Sequence, residues 1–96
     1  MKIAFFEVQS WEEDFLKDGF AGHEVQLFKE VLDENRVSEV KDFEIVSVFI
    51  YSKVDKELLS RMPKVRLIAT RSTGFDHIDT EECKRKEILV SNVPLY

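Results

Sequence analysis

LIATRSTGFDHID, residues 67–79, decides the predicted fold, because an apolar strand passes directly into a small polar turn and then into the start of a helix. Strand, turn and helix in this order are typical of a βα unit in a parallel sheet. The turn that follows such a strand presents backbone N–H groups that can bind an anion. This stretch therefore predicts an α/β fold and also indicates where a ligand would bind.

Four further segments predict strands of the same sheet. Dense apolar, aromatic and β-branched residues indicate buried strands at 2–8 and 43–50 and a short strand at 88–90. By the same criterion, the strand that leads into the turn covers residues 65–70. Residues 24–28 alternate polar and apolar side chains, which indicates a strand at the sheet edge. Short connections between strands and helices imply right-handed βαβ crossovers. We therefore predict a flavodoxin-like three-layer α/β sandwich with a five-stranded parallel sheet and 43–50 as its central strand.

Helices are predicted where a capping side chain precedes an apolar face. The predicted caps are Ser10 for a helix over 11–18, Asp55 for a helix that carries Leu58, Leu59 and Met62, and Asp79 or Thr80 for a helix that reaches Lys86. Glycines end the first of these helices and Pro63 ends the second. The charged segment 29–42 leaves open either a short helix or an irregular connection.

Composition narrows the class of protein. Ninety-six residues suit one domain, and a net charge of −5 with both signs interspersed argues against a nucleic-acid partner. The single cysteine, Cys83, cannot form an internal disulfide, which indicates a reducing compartment such as the cytoplasm. No apolar run approaches the ~20 residues that span a bilayer. We expect a cytoplasmic domain that enters no membrane.

The turn after the strand at 65–70 is the candidate ligand site. Gly74 has no Cβ and allows a ligand close to the backbone, while Ser72 and Thr73 add N–H groups and hydroxyls that suit a carboxylate. A glycine needed only for a tight turn explains the same residues. Spacing alone favours neither explanation.

Other chemically active residue types have simpler explanations. His23 and His77 lie in connections, where we expect them to be solvated or structural rather than to act as bases. Cys83 is predicted to be the inward-facing residue of a charged helix. Asp76 suits a turn and Asp79 a helix cap, so we assign neither to a metal nor to acid–base catalysis. The three glycines of the chain form no G-x-G-x-x-G or Walker pattern.

RSTGFDHID at 71–79 and ILVSNVPLY at 88–96 together resemble the substrate-binding domain of the D-isomer-specific 2-hydroxyacid dehydrogenases, in particular the D-lactate dehydrogenase branch. The element order of the whole chain agrees with that domain, and the specific motifs lie in residues 67–96. The resemblance implies that residues 1–96 are the N-terminal part of the substrate-binding domain. It also implies that an NAD-binding domain follows residue 96.

The same resemblance implies the activity of the complete protein. It would be an NAD-dependent oxidoreductase, usually a homodimer, that interconverts a small 2-oxo acid and 2-hydroxy acid, here pyruvate and D-lactate. Its catalytic arginine, glutamate and histidine and its cofactor-binding residues would lie beyond residue 96. His77 occupies a place where relatives often carry asparagine and is not the catalytic histidine. We therefore expect no catalytic residue in this chain.

Four substrate-binding residues carry over from the family to this chain. The backbone N–H groups of Thr73 and Gly74 would hold the substrate carboxylate, Tyr96 would line the cleft, and Tyr51 would set the pocket size. Ordinary amphipathic packing explains both tyrosines equally well on periodicity alone. The alternative function is a freestanding flavodoxin-like module that binds a small carboxylate without catalysis. The sequence that follows residue 96 in the natural reading frame distinguishes the two.

Overall fold

Five parallel strands form the sheet of this structure, a computed structural model that describes residues 1–94. The strands are β1 (Lys2–Phe5), β2 (Glu24–Leu27), β3 (Ile45–Val48), β4 (Leu67–Thr70) and β5 (Leu89–Ser91). Their order in the sheet is β2-β1-β3-β4-β5, and every neighbouring pair is parallel. This order is the flavodoxin-like one. It confirms the predicted sandwich, the central place of β3 and the edge place of β2.

Three short α-helices cross between the strands. They are α1 (Glu13–Gly19), α2 (Lys56–Ser60) and α3 (Thr80–Arg85), and 3₁₀ turns occupy Ser10–Glu12 and Val37–Val40. The Asp55 carboxylate accepts the Leu58 N–H at 2.9 Å, which confirms Asp55 as the cap of α2. Asp79 accepts the Glu82 N–H at 3.0 Å, so Asp79 rather than Thr80 caps α3.

Two predictions at the first βα connection are wrong. Strand β1 ends at Phe5 rather than at residue 8, because Glu7 has a left-handed backbone (φ 59°) that a strand cannot continue through. Ser10 does not cap a helix; it begins the 3₁₀ turn, and the Gln9 N–H is accepted by the Glu12 carboxylate at 2.8 Å. Helix α1 therefore starts at Glu13 instead of Trp11.

The segment 29–42, for which the sequence leaves open a helix or an irregular connection, is irregular apart from one 3₁₀ turn. It still contributes to the core through Leu32, Val37 and Val40, each at most 1 % exposed. Apolar burial of this kind holds a connection in place without regular hydrogen bonding.

Alternate residues of the strands pack on the two faces of the sheet. One face carries Ala4, Val46 and Val48 and packs with α2, α3 and the 3₁₀ turn at Val37–Val40. The other face carries Ile3 and Phe5 and packs with Leu16 of α1. Cys83 belongs to the first of these clusters and is fully buried, as predicted. Since all strands are parallel, their carboxyl ends meet at one edge of the sheet, which we call the carboxyl edge.

Candidate functional site

All five strands end at the carboxyl edge, where ligands bind in open α/β sheets, and four of the connections that leave it bear on the candidate site. Residues 6–9 follow β1, residues 49–52 follow β3, residues 71–76 follow β4, and residues 92–94 follow β5. The predicted substrate-binding residues of the described chain all lie in these connections.

The turn after β4 is held by its carbonyl groups. The Ser72 carbonyl accepts the Val93 N–H at 2.9 Å, and the Thr73 carbonyl accepts the Asn92 side-chain amide at 2.8 Å. The Gly74 carbonyl accepts the Ser72 hydroxyl at 2.7 Å. Three successive carbonyls are thus fixed by protein donors. The Asn-Val pair after β5, which the sequence singled out only by resemblance, holds this turn.

The N–H groups of the same turn are left available. Among residues 1–94, the Thr73 and Gly74 N–H groups donate no hydrogen bond, and the same holds for Phe75 and Asp76. Thr73 and Gly74 are both exposed. Backbone donors in such a concave turn suit an anion. The assignment of Thr73 and Gly74 to a carboxylate stays a prediction.

The structure gives no internal reason for glycine at position 74. Its φ does not lie in the positive region that favours glycine, and a Cβ built on it would meet nothing within 4 Å. A turn glycine with positive φ, which is what the simpler explanation required, is therefore excluded. Space for an approaching ligand remains as a reason for glycine here.

His77 has a structural role beneath this turn. Its Nε2 lies 3.0 Å from the Thr70 hydroxyl, which lies 2.5 Å from the Ser72 hydroxyl. Burial lowers the pKa of His77 below its ordinary value, against the opposing effect of the Glu7 and Asp76 carboxylates. The neutral imidazole therefore belongs to the hydrogen bonds that support the turn. His23, in contrast, is exposed.

Glu7 is a functional candidate that sequence reasoning missed. Its side chain is 7 % exposed, and its carboxylate accepts the N–H groups of Phe49 at 2.9 Å and Tyr51 at 3.1 Å and the Ser52 hydroxyl at 2.7 Å. A left-handed glutamate costs about 1–2 kcal/mol, which these charge-assisted hydrogen bonds offset. The only indication in the sequence is that Glu7 is a charged residue within an apolar run. Its hydrogen-bond partners lie 42 to 45 residues away, and no pattern in a single sequence identifies such distant partners.

Arg71 was also missed, although it opens the candidate turn. Its guanidinium donates to the Ser47 hydroxyl at 2.8 Å and to the carbonyls of Phe6 at 2.5 Å and Glu7 at 3.2 Å. Its Nε lies 3.6 Å from the Glu12 carboxylate. Arg71 therefore connects the turn after β4 to the backbone that follows β1.

Tyr51 lies at the carboxyl edge, in the connection after β3. Its side chain is 72 % exposed, and its ring meets Phe49 edge to face with centroids 6.2 Å apart. Tyr51 lines a depression of about 270 Å³ that it shares with residues 31–34 and with α2. A second depression of about 220 Å³ is lined by Glu7, Phe49 and Arg71 together with Gln9, Trp11 and Glu12. Neither depression includes Thr73 or Gly74, and Tyr96 lies outside the described residues.

Two broader features bear on the class of site. Within residues 1–94, no helix is long and apolar enough to cross a membrane. In the same range, no three His, Cys, Asp or Glu side chains group closely enough to hold a metal ion.

Known proteins resemble this chain along nearly its whole length. The sequence model of the family described as "D-isomer specific 2-hydroxyacid dehydrogenase, catalytic domain" matches residues 3–96. The D-lactate dehydrogenase of Staphylococcus epidermidis is 32 % identical over 99 residues, which cover 99 % of this chain and 30 % of that protein. The glyoxylate reductase of Pyrococcus furiosus is 30 % identical over 89 residues, which cover 93 % of this chain and 22 % of that protein.

Solved structures agree with these sequence matches. The D-lactate dehydrogenase of Aquifex aeolicus, solved with NAD and lactic acid, is 38 % identical with a TM-score of 0.92, over 98 % of this chain and 28 % of that one. The apo structure of the Escherichia coli D-lactate dehydrogenase is 26 % identical with a TM-score of 0.89, over 100 % and 32 %. This chain spans less than a third of the length of these four proteins.

Proposed function

Because this chain belongs to the D-isomer specific 2-hydroxyacid dehydrogenase family, we propose that it is the N-terminal part of the substrate-binding domain of an NAD-dependent enzyme. The proposed reaction is the interconversion of pyruvate and D-lactate. Relatives named D-lactate dehydrogenase, at 32 % identity over nearly the whole chain, support this choice. The match to a glyoxylate reductase makes glyoxylate the substrate to be compared with pyruvate.

The proposal rests on the hydrogen bonding of the turn at 72–74. Its carbonyls are fixed by protein donors, while the N–H groups of Thr73 and Gly74 have no acceptor within residues 1–94. In the proposed enzyme these two N–H groups hold the substrate carboxylate. Each hydrogen bond to a charged group contributes about 1.5–3 kcal/mol. Two such bonds fix the position and orientation of the substrate, which lowers the entropic cost of reaching the reactive geometry.

The cofactor is assigned to residues outside this chain. NAD, when bound, exchanges a hydride with the carbon that carries the oxo or hydroxyl group. The three glycines, Gly19, Gly22 and Gly74, are too far apart to form the fingerprint turn that holds its pyrophosphate. We therefore place the NAD-binding domain, and the catalytic arginine, glutamate and histidine, after residue 96.

Tyr51 and Tyr96 complete the proposed role of this chain, since they would face the substrate when the two domains of the enzyme close. Closure excludes water from the site, and an aromatic ring at its rim restricts the size of the acid that enters. We also propose that the complete enzyme is a cytoplasmic homodimer. The single cysteine of the chain, Cys83, supports a reducing compartment such as the cytoplasm. The homodimer is what the resemblance to the family implies.

The test is an assay of the complete protein encoded by the natural reading frame. With NADH as reductant, it should reduce pyruvate or glyoxylate, and chiral chromatography should identify the product of pyruvate as D-lactate. A folded protein that reduces no 2-oxo acid would contradict the proposal. Pyruvate binding by such an inactive protein, measured by calorimetry, would support the freestanding binding module instead.

The reading frame provides an independent check. A strand followed by G-x-G-x-x-G within the next ~60 residues would support an enzyme. A stop codon directly after residue 96 would exclude it.

A further inference from the structure

Glu7, in the connection after β1, fixes the connection after β3. One buried carboxylate receives the Phe49 N–H, the Tyr51 N–H and the Ser52 hydroxyl, with donor–acceptor distances of 2.7 to 3.1 Å. The Ser52 hydroxyl in turn accepts the Leu32 N–H at 2.9 Å. The backbone on both sides of residue 50 is therefore held by a residue that belongs to another connection.

Arg71 joins this arrangement to the turn after β4. Its guanidinium donates to the Phe6 and Glu7 carbonyls, and its own backbone leads directly into the turn that contains Thr73 and Gly74. The Arg71 N–H also donates to the Val48 carbonyl at 2.8 Å. The backbone of Tyr51 and the backbone of the candidate carboxylate turn are thus held to the same residue, Glu7.

We propose that Glu7 is a positioning residue that helps to determine which 2-oxo acids the enzyme accepts. It holds Tyr51 at a set distance from the turn that binds the carboxylate, so that the aromatic ring limits the size of the group attached to the oxo carbon. This inference rests on the proposed function. It goes beyond it by assigning a role to a buried residue that would not touch the substrate.

The chemistry of the carboxylate explains why glutamate is needed. Three donors converge on two oxygens, and a carboxylate accepts at both. A glutamine has nearly the same shape but presents an NH₂ group in place of one oxygen, so at least one donor faces another donor. Glu7→Gln should therefore release the turn at 49–52 while preserving the volume of the side chain. A turn that moves admits larger substrates beside Tyr51.

The test compares Glu7→Gln with Glu82→Gln in the complete enzyme. Glu82 is a matched control because it is also a buried glutamate, 6 % exposed, but it pairs with Arg85 on α3 and makes no hydrogen bond or ion pair with residues 49–52. The readout is the ratio of kcat/KM for pyruvate to kcat/KM for phenylpyruvate. Glu7→Gln should lower this ratio about tenfold, within the range that one pocket contact provides. Glu82→Gln should leave the ratio unchanged, although it lowers the melting temperature.

A double-mutant cycle shows whether the effect acts through Tyr51. In a Tyr51→Ala background, Glu7→Gln should leave the ratio unchanged, because the ring that it positions is gone. Amide hydrogen exchange supplies a readout independent of activity: the Phe49 and Tyr51 amides should exchange faster in Glu7→Gln than in the unmodified enzyme or in Glu82→Gln. If Glu7→Gln does not fold, Ser52→Ala removes one of the three donors and should lower the ratio in the same direction.

Several results would overturn the proposal. An equal loss of kcat/KM for both acids in Glu7→Gln would show a general structural role. Additive effects of Glu7→Gln and Tyr51→Ala on the ratio, or an unchanged ratio in Tyr51→Ala alone, would show that Glu7 does not act through the ring. An unmodified enzyme that reduces no 2-oxo acid refutes the proposed function itself. In that case the role of Glu7 in substrate selectivity also has no basis. The two failures can be told apart, because the hydrogen-exchange rates of the Phe49 and Tyr51 amides still show whether Glu7 holds the connection at 49–52.

Discussion

Replacing Gly74 by valine tests the carboxylate turn without disturbing the fold. A Cβ at this position meets nothing within 4 Å, and the backbone does not have the positive φ that excludes valine. Exposed substitutions without such conflicts change the free energy of unfolding by about 0.5 kcal/mol or less. The complete Gly74→Val protein should therefore fold and melt almost as the unmodified protein does.

The expected effect on substrate is much larger. The valine side chain occupies the space from which a carboxylate would approach the Thr73 and Gly74 N–H groups. Loss of one hydrogen bond to a charged group costs about 1.5–3 kcal/mol. At 1.36 kcal/mol for each factor of ten, this corresponds to a roughly 10- to 150-fold rise in KM for pyruvate. The dissociation constant of NADH should change less than about twofold, because the cofactor is assigned to residues outside this chain.

Steady-state kinetics and NADH fluorescence titration measure the two quantities. Gly19→Val is the matched control, since Gly19 ends α1, has no positive φ and would likewise place a Cβ with no other atom within 4 Å. It should leave both constants unchanged. An equal loss of pyruvate and NADH binding in Gly74→Val, with the fold intact, would refute the assignment of the turn to the carboxylate.

Four further predictions concern stability and reactivity. Asp79→Ala should lower the free energy of unfolding by about 1 kcal/mol in chemical denaturation, because α3 loses its cap. Asp79→Asn should lower it much less, because asparagine also caps helices. Glu87→Gly should raise the same quantity by about 1 kcal/mol, since Glu87 has φ 60° and its N–H donates to the Lys84 carbonyl in a Schellman ending of α3; an unchanged stability would contradict this. Burial lowers the pKa of His77, so the unfolded chain binds more protons than the folded one, and the free energy of unfolding should fall as pH drops below about 6.5. Chemical denaturation at several pH values should show a smaller fall in His77→Asn, whereas the control His23→Asn should show the same fall as the unmodified protein. Burial, with the nearby Asp79 and Glu82 carboxylates, raises the pKa of the Cys83 thiol, so a disulfide reagent should react with it only at the rate of unfolding, and fast reaction in the folded protein would contradict the packed role.

The order of the strands was predictable because it depends on local patterns. Apolar runs mark β1, β3 and β4, alternation marks the exposed edge strand β2, and Asp55 and Asp79 cap the helices that follow β3 and β4. Each of these signals lies within a few residues of the structure that it specifies. A right-handed crossover rule then leaves few topologies for five strands.

The buried polar contacts at the carboxyl edge were not predictable from one sequence. Glu7 accepts hydrogen bonds from the connection at 49–52, and Arg71 donates one to the Phe6 carbonyl. Both depend on the strand order, which places β1 between β2 and β3 and β4 next to β3. In the sequence, Glu7 is only a charged residue inside the apolar run that predicts a strand at 2–8. The boundary of β1 was wrong for the same reason, since the left-handed backbone of Glu7 is stabilised by these distant partners.

The candidate turn after β4 was predictable in part. Strand, glycine and helix start specified its place, but the fixing of its carbonyls by Asn92 and Val93 depends on the pairing of β4 with β5. That pairing turns a generic glycine turn into one with fixed carbonyls and available N–H groups.

A crystal structure of the complete protein with NADH and oxamate, an isostere of pyruvate, tests the central claim most directly. We expect both oxygens of the oxamate carboxylate to lie within about 2.7–3.2 Å of the backbone nitrogens of Thr73 and Gly74. A carboxylate bound elsewhere, with both N–H groups bonded only to water, would contradict the account.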